Sequence, residues 1–321
     1  MKWKKLGKIF DPVEHKLPNN CVQFAQSPQV LICNDFVRIY FTTREVEKTG
    51  KYLGHIAFAD FDKEFKKIIG ISKDTVIPLG ELGTFDEHGI FPMNVVRYNN
   101  KIYGYTSGLS RRKSVSLETS IGLAYSQNEG LTFEKFGSGP IVSSTLHEPF
   151  LVCDAFVSVY ENVFHMWYIY GLRWMANAEK DGAPSRVYKI AHATSMDGIN
   201  WVKDGRLIIP DKIGENECQA LPTVIKINNR YHMYFCYRQS TGFRTITERG
   251  YRLGYAYSDD LINWIRNDES SGIDVSPEDW DSEMMCYPHI FQCNEKVYML
   301  YNGNEFGRFG FGLAVLESLT K

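Results

Sequence analysis

SPQVLIC (residues 27–33), FPMNVVRY (91–98), EPFLVCDA (148–155), LPTVIKIN (221–228) and YPHIFQCN (287–294) are five versions of one strand. Aligned on Pro28, Pro92, Pro149, Pro222 and Pro288, they recur at intervals of 64, 57, 73 and 66 residues. A polar turn and a second, aromatic run follow each of them: VRIYFTT, KIYGYTS, VFHMWYIY, RYHMYFCY and KVYMLYN. A third run comes next, in GHIAFADF, IGLAYSQ, KIAHATS, RLGYAYS and FGLAVLE. β-Branched and aromatic residues between Asn/Asp/Gly turns indicate strands. A repeat of this length in such a chain indicates equivalent four-stranded units arranged around an axis.

The fourth strand carries an aromatic followed by a basic residue: Phe65 (FKK), Phe133 (FEK), Trp201 (WVK) and Trp264 (WIR). The fifth unit ends at FGLAVLESLTK without one, and the missing copy is Trp3 in KWKKLGKIF. The sequence therefore predicts an all-β fold, a five-bladed β-propeller forming one domain over residues 1–321. Its ring would be closed by the N-terminal strand joining the last blade, which removes an open sheet edge.

Composition sets bounds. Hydrophobic residues are 44% of the 321 and aromatics 14%, ample for a β-rich core. A net charge of −2 argues against nucleic acid or an anionic membrane as a partner. Seven scattered cysteines without CxxC spacing read as small buried hydrophobes, so neither disulfides nor a metal is expected. No phosphate-binding glycine loop or HExxH occurs, and no cofactor is expected. MKWKKLGKIFDP lacks the apolar run of a signal peptide, so a cytoplasmic location is the expectation.

Function should lie where the first strands begin. The connections from second to third strands are long there (GLSRRKSVSLETS, GLRWMANAEKDGAPSRV, RQSTGFRTITERGYR), whereas the opposite face has short Asn/Asp/Gly turns. Five residues before the aligned prolines stand Gln23, Glu87, Ser144, Glu217 and Glu283, and Glu148 shares their strand parity. Four glutamates from four blades would converge on one funnel, with Asp86, His88, His147 and Asp281 close by. Arg44, Arg238 and Arg252 lie at the same end, and guanidinium forks suit carboxylate or phosphate. Tyr287 could stack on a sugar face. Paired carboxylates are the equipment for glycosidic bond cleavage, one protonated as acid and one ionised.

With its five units, its SMDGINW and SDDLINW turns and its acids at the heads of inner strands, the chain resembles the five-bladed glycosidase superfamily, which includes glycoside hydrolase families 32, 43, 68 and 130. That resemblance implies a carbohydrate-active enzyme. The arabinanase-like members carry an Asp before the first proline, where this chain has Ser27. They have a second Asp after the next proline, where Met93 and Asn94 stand, and a general acid where Ala220 stands. The expectation is accordingly a relocated set: Glu217 and Glu283 as the catalytic pair, with Glu87 and Glu148 tuning. Asp86, His88, His147, Arg44, Arg238, Arg252, Gln23, Tyr287 and Asp281 would bind a carbohydrate or sugar-phosphate ligand. Three alternatives stand beside a hydrolase: a silent glycan-binding propeller, a phosphorylase, which needs one acid only, and another non-hydrolytic sugar-modifying enzyme.

Overall fold

The computed structural model describes residues 1–321 apart from 177, 180, 320 and 321. β1 (Lys2–Phe10) opens the chain. β2 (Gln23–Ile32), β3 (Phe36–Val46), β4 (Tyr52–Asp62) and β5 (Ile68–Ile71) form the first unit. β6 (Gly89–Tyr98), β7 (Lys101–Arg111), β8 (Leu117–Ser126) and β9 (Glu134–Lys135) form the second. β10 (Val152–Tyr160), β11 (Val163–Met175), β12 (Ser185–Ser195) and β13 (Val202–Lys203) form the third. β14 (Glu217–Ile227), β15 (Arg230–Gln239), β16 (Arg252–Ser258) and β17 (Ile265–Arg266) form the fourth. β18 (Cys286–Cys293), β19 (Lys296–Asn302) and β20 (Phe311–Ser318) complete the set.

Within units the strands run antiparallel in sequence order, and β1 pairs with β20 to give the sheet β1-β20-β19-β18. The first two units touch through a parallel bridge, Gly54 to Gly89. The first strands contact one another in the succession β2, β6, β10, β14, β18 and again β2. Among the described residues, no helix is long and apolar enough to cross a membrane.

Local chemistry explains the units. Four of the turns between first and second strands place two consecutive residues at positive φ: Asn99-Asn100, Glu161-Asn162, Asn228-Asn229 and Asn294-Glu295. Two-residue hairpins twisted to match their strands need that conformation, and Asn tolerates it best among side-chain-bearing residues. In the third-to-fourth turns, Asp197 accepts from the backbone N–H of Ile199 and Asn200, and Asp260 from those of Ile262 and Asn263.

The aromatic of each outer strand packs onto an aromatic of the preceding unit's second strand. The pairs are Phe133 with Tyr40, Trp201 with Tyr105, Trp264 with Trp167, Trp3 with Tyr234 and Phe65 with Tyr298, at 5.0–6.2 Å between ring centroids. Each pair adds about 0.5–1.5 kcal/mol beyond its buried area. Polar bridges tie the first strands as well: Asn94 Nδ2 donates to Gln29 Oε1 at 2.8 Å, and Val157 N to Asn94 Oδ1 at 2.9 Å. Ile290 N donates to Thr223 Oγ1 at 3.1 Å, and Val30 N to His289 Nε2 at 3.2 Å. All seven cysteines are free and buried.

Candidate functional site

Every first strand drops two residues from its ladder with the second strand at the same point. These are Ser27-Pro28, Phe91-Pro92, Asp154-Ala155, Leu221-Pro222 and Tyr287-Pro288. The bulge corrects the repeat alignment. In the third unit the equivalent of the prolines is Ala155, not Pro149, and the intervals become 64, 63, 67 and 66 residues. Ser27, Asp154, Leu221 and Tyr287 all take left-handed φ, between 45° and 58°. The third unit's bulge thus presents an acid where the others present Ser, Phe, Leu and Tyr.

That acid is buried. Asp154 is 5% exposed, and its Oδ2 accepts from Leu221 N at 3.4 Å across the joint with the fourth unit. Burial pushes its carboxyl up to about 7, against smaller downward pulls from the Leu221 N–H, the Cys153 thiol and the Arg186 charge. It lines a recess of about 90 Å³ whose walls include Leu117, Arg186, Tyr188, Tyr251 and Tyr287. Those five residues also wall a cavity of about 1170 Å³, set where the first strands begin and the second-to-third connections converge.

The larger cavity is cationic and aromatic. Among the described residues lining it are seven arginines and two lysines against one carboxylate, Glu305, which is paired with Arg308 at 2.9 Å. Arg238 is 3% exposed, lies 3.4 Å from the Phe243 ring centroid and donates Nη2 to Tyr188 OH at 2.8 Å. Tyr188 and Tyr251 hydroxyls meet at 2.6 Å, and burial raises Tyr188 to about 12. Burial holds Tyr251 and Tyr287 well above the usual phenol range too, so all three remain protonated. Among the described residues no cluster of three or more His, Cys, Asp or Glu could hold a metal ion.

Arg44, Arg238, His88 and Tyr287 line this cavity. Gln23 stands behind it, accepting from Arg308 Nε at 3.0 Å. The expected carboxylates do not converge there. Glu217 is fully buried away from it, accepting from Arg266 Nη1 at 2.6 Å, Gln219 Nε2 at 3.0 Å and the backbone N–H of Lys212 and Ile213. Glu148 accepts from Tyr168 OH at 2.7 Å and from Lys203. Asp281 accepts from Lys5 at 2.7 Å and Tyr301 OH at 3.1 Å, and Asp86 pairs with Lys135 at 2.5 Å.

One rule covers all four. Each acid binds the base two residues beyond the outer-strand aromatic of its own unit: Lys135, Lys203, Arg266 or Lys5. These are structural latches, and removal of either partner from such a buried pair costs about 3–5 kcal/mol. Glu87 accepts from Gly83 N at 2.8 Å and lies 3.2 Å from His88 without lining the cavity. Glu283 is exposed and contributes its backbone carbonyl to Arg252, which lines a separate pocket with Asp268. His147 is exposed and outside the cavity wall. Asp154 escaped the sequence reading because alignment on Pro149 put it at the end of a strand. The signal was present: an acid inside the otherwise apolar run LVCDAFV.

The fold is that of the glycosidase-like propellers. The structure of BT0996 in its RGII complex superposes with a TM-score of 0.73 at 15% identity, covering 99% of this chain and 94% of that protein. The Listeria innocua β-1,2-mannobiose phosphorylase in complex with β-1,2-mannobiose gives 0.68 at 12% identity, with 98% and 96% covered. In sequence, the chain is 32% identical over 113 residues to a β-1,2-mannobiose phosphorylase of Thermoanaerobacter sp. (strain X514), 33% of this chain and 35% of that one. No family model matches. The chain is 31% identical over 326 residues to the uncharacterized protein Rv1502 of Mycobacterium tuberculosis (strain H37Rv), covering 99% of this chain and 100% of the relative, and it belongs to the same family.

Proposed function

We propose that the protein is a carbohydrate-active enzyme that cleaves or transfers a glycosidic bond of an acidic or phosphorylated sugar, with Asp154 as its single general acid. The five units are read as the blades of one five-bladed propeller over residues 1–321, its ring closed by β1. The observation that carries the reading is a buried carboxyl raised to about 7 in a recess that shares its walls with a cavity rich in arginine and aromatic rings. A carboxyl with that pKa is part protonated near neutrality, as an acid catalyst must be. Its proton passes to the glycosidic oxygen as the bond to the anomeric carbon breaks, and the leaving sugar keeps the electron pair. Water or a phosphate oxygen attacks the anomeric carbon, and a proton returned to Asp154 resets the site. Aromatic faces at Tyr52, Phe91 and Phe306 suit stacking on sugar rings.

Among the described residues, the cavity wall offers no second unpaired carboxylate. That favours one-acid chemistry over the two-carboxylate hydrolase, and names the competing reading, a silent glycan-binding propeller. The test is product release from a panel of neutral and anionic oligosaccharides, β-1,2-mannobiose and RGII fragments among them, with and without inorganic phosphate. Wild type turning over one member, and Asp154→Asn losing at least about 100-fold, is expected, since general acid catalysis is worth about 10²–10⁴. Saturable binding with no product, or an Asp154→Asn enzyme within a few-fold of wild type, overturns the assignment.

A further inference from the structure

The cavity's arginines divide into two sets. Arg111, Arg112 and Arg308 have acid partners, in Glu47, Glu118 and Glu305. Arg44, Arg186, Arg238 and Arg244 have no carboxylate partner among the described residues, yet they face the same space. Rings hold their planes: Arg44 over Phe24 at 4.2 Å, Arg238 and Arg244 on the shared Phe243 ring at 3.4 and 4.3 Å, and Arg186 over Trp174 at 5.6 Å. Neutral acceptors satisfy only part of their hydrogen-bonding capacity. Arg44 Nε donates to Gln26, Arg186 Nη1 to Ser116, and Arg238 to Gln239 O and Tyr188 OH. Arg238 Nε is buried without a partner, on a side chain 3% exposed.

We propose that these four arginines form a binding site for a phosphate dianion, supplied either as free inorganic phosphate or as a phosphate group on the sugar. This rests on the reading of the cavity as the ligand site and narrows it, choosing phosphate chemistry over carboxylate. One carboxylate has two oxygens and occupies one guanidinium fork. A phosphate dianion offers three or more oxygens and can occupy several forks at once. Four cations lining one cavity, none of them in an ion pair among the described residues and each stacked on a ring, match the second demand. Like charge adds to this: burial, then the Arg238 and Arg186 charges, lowers Arg244, and burial together with Arg244 lowers Arg44. A dianion relieves that repulsion, and a neutral sugar does not. The Arg186 guanidinium also borders the Asp154 recess, which sets the phosphate next to the reacting bond.

Calorimetric titration at low ionic strength tests the proposal without turnover, so its failure leaves the role of Asp154 standing. The probes are inorganic phosphate, a hexose phosphate and glucuronate, each with wild type, Arg244→Gln and Arg186→Gln. Arg244 has ring contacts but no hydrogen-bond or ion-pair partner among the described residues, so its replacement leaves the fold intact, and a circular-dichroism melt checks this. Phosphate or hexose phosphate binding at least 10-fold tighter than glucuronate, and weakened at least 10-fold by either substitution, is expected. Equal binding of phosphate and hexose phosphate identifies the free ion as the ligand. A hexose phosphate advantage of 10-fold or more identifies a phosphorylated sugar. No binding of either at 10-fold above the glucuronate response, or binding unchanged in both variants, overturns the proposal.

Discussion

Glu217→Gln separates a structural carboxylate from a catalytic one. The Glu217 side chain accepts four hydrogen bonds and donates none: two at Oε1, from Arg266 and Gln219, and two at Oε2, from backbone N–H groups. A glutamine of the same shape must turn its NH₂ toward two of those donors. It loses two bonds, each of them made to the ionised carboxylate and worth about 1.5–3 kcal/mol, and it leaves Arg266, 6% exposed at its side chain, without its first carboxylate. Removing one member of a buried ion pair costs about 3–5 kcal/mol in all. An unfolding entropy near 2.1 cal/mol/K per residue over 321 residues is about 0.67 kcal/mol/K. The melting temperature should therefore fall by about 4.5–7.5 °C, read by calorimetry at pH 7, while exposed Glu283→Gln melts with wild type. A Glu217→Gln protein melting within 1 °C of wild type would refute the latch and return Glu217 to the set of functional acids.

Asp154 makes a prediction of opposite sign. Its folded value of about 7 lies above the unfolded value near 4, so its contribution to stability is complete below pH 4 and lost as pH rises through 7. Asp154→Asn should match wild type near pH 4 and exceed it by up to about 4 kcal/mol at pH 8 in urea unfolding, at 1.36 kcal/mol per pKa unit. A variant no more stable than wild type at pH 8 would contradict this. His289 behaves conversely: burial depresses it to about 3, so stability present above pH 6.5 is lost toward acid, by about 1.4 kcal/mol per pH unit. His289→Gln should flatten the unfolding profile between pH 6 and 4 by that slope. Asn302, fully buried, accepts from Ser27 N at 2.8 Å and donates to Ala25 O and Gly310 O, tying the last unit to the first. Asn302→Ala leaves three buried backbone groups unpaired and should cost at least about 3 kcal/mol, read as a lower urea midpoint.

The strand repeat was legible because hairpin turns and pleated faces impose local demands. Asn pairs, aromatic runs and the outer-strand Trp/Phe each recur where the geometry requires them, down to Trp3 standing in for the last unit's outer aromatic. The acids misled for a related reason. Asp86, Glu148, Glu217 and Asp281 recur because each answers a base on its own outer strand, and that pairing spans 49–55 residues, or in the case of Lys5 nearly the whole chain. Nothing in a local window distinguishes such a latch from a catalytic cluster. The cavity arginines were readable as a class from their loops, yet which ones lacked acid partners depended on side chains brought together by folding. Asp154 was concealed by a two-residue bulge, since the proline that marks it in the other four units is replaced by Ala155.

A ¹³C NMR titration of the Asp154 carboxyl, assigned by its absence in Asp154→Asn, tests the central claim most directly, because it needs no substrate. The account predicts a midpoint near pH 7, with the acid half protonated at neutrality. A midpoint at or below the ordinary aspartate range, near pH 4, would mean an ionised carboxylate in the recess beside the cavity and would contradict the single-acid site.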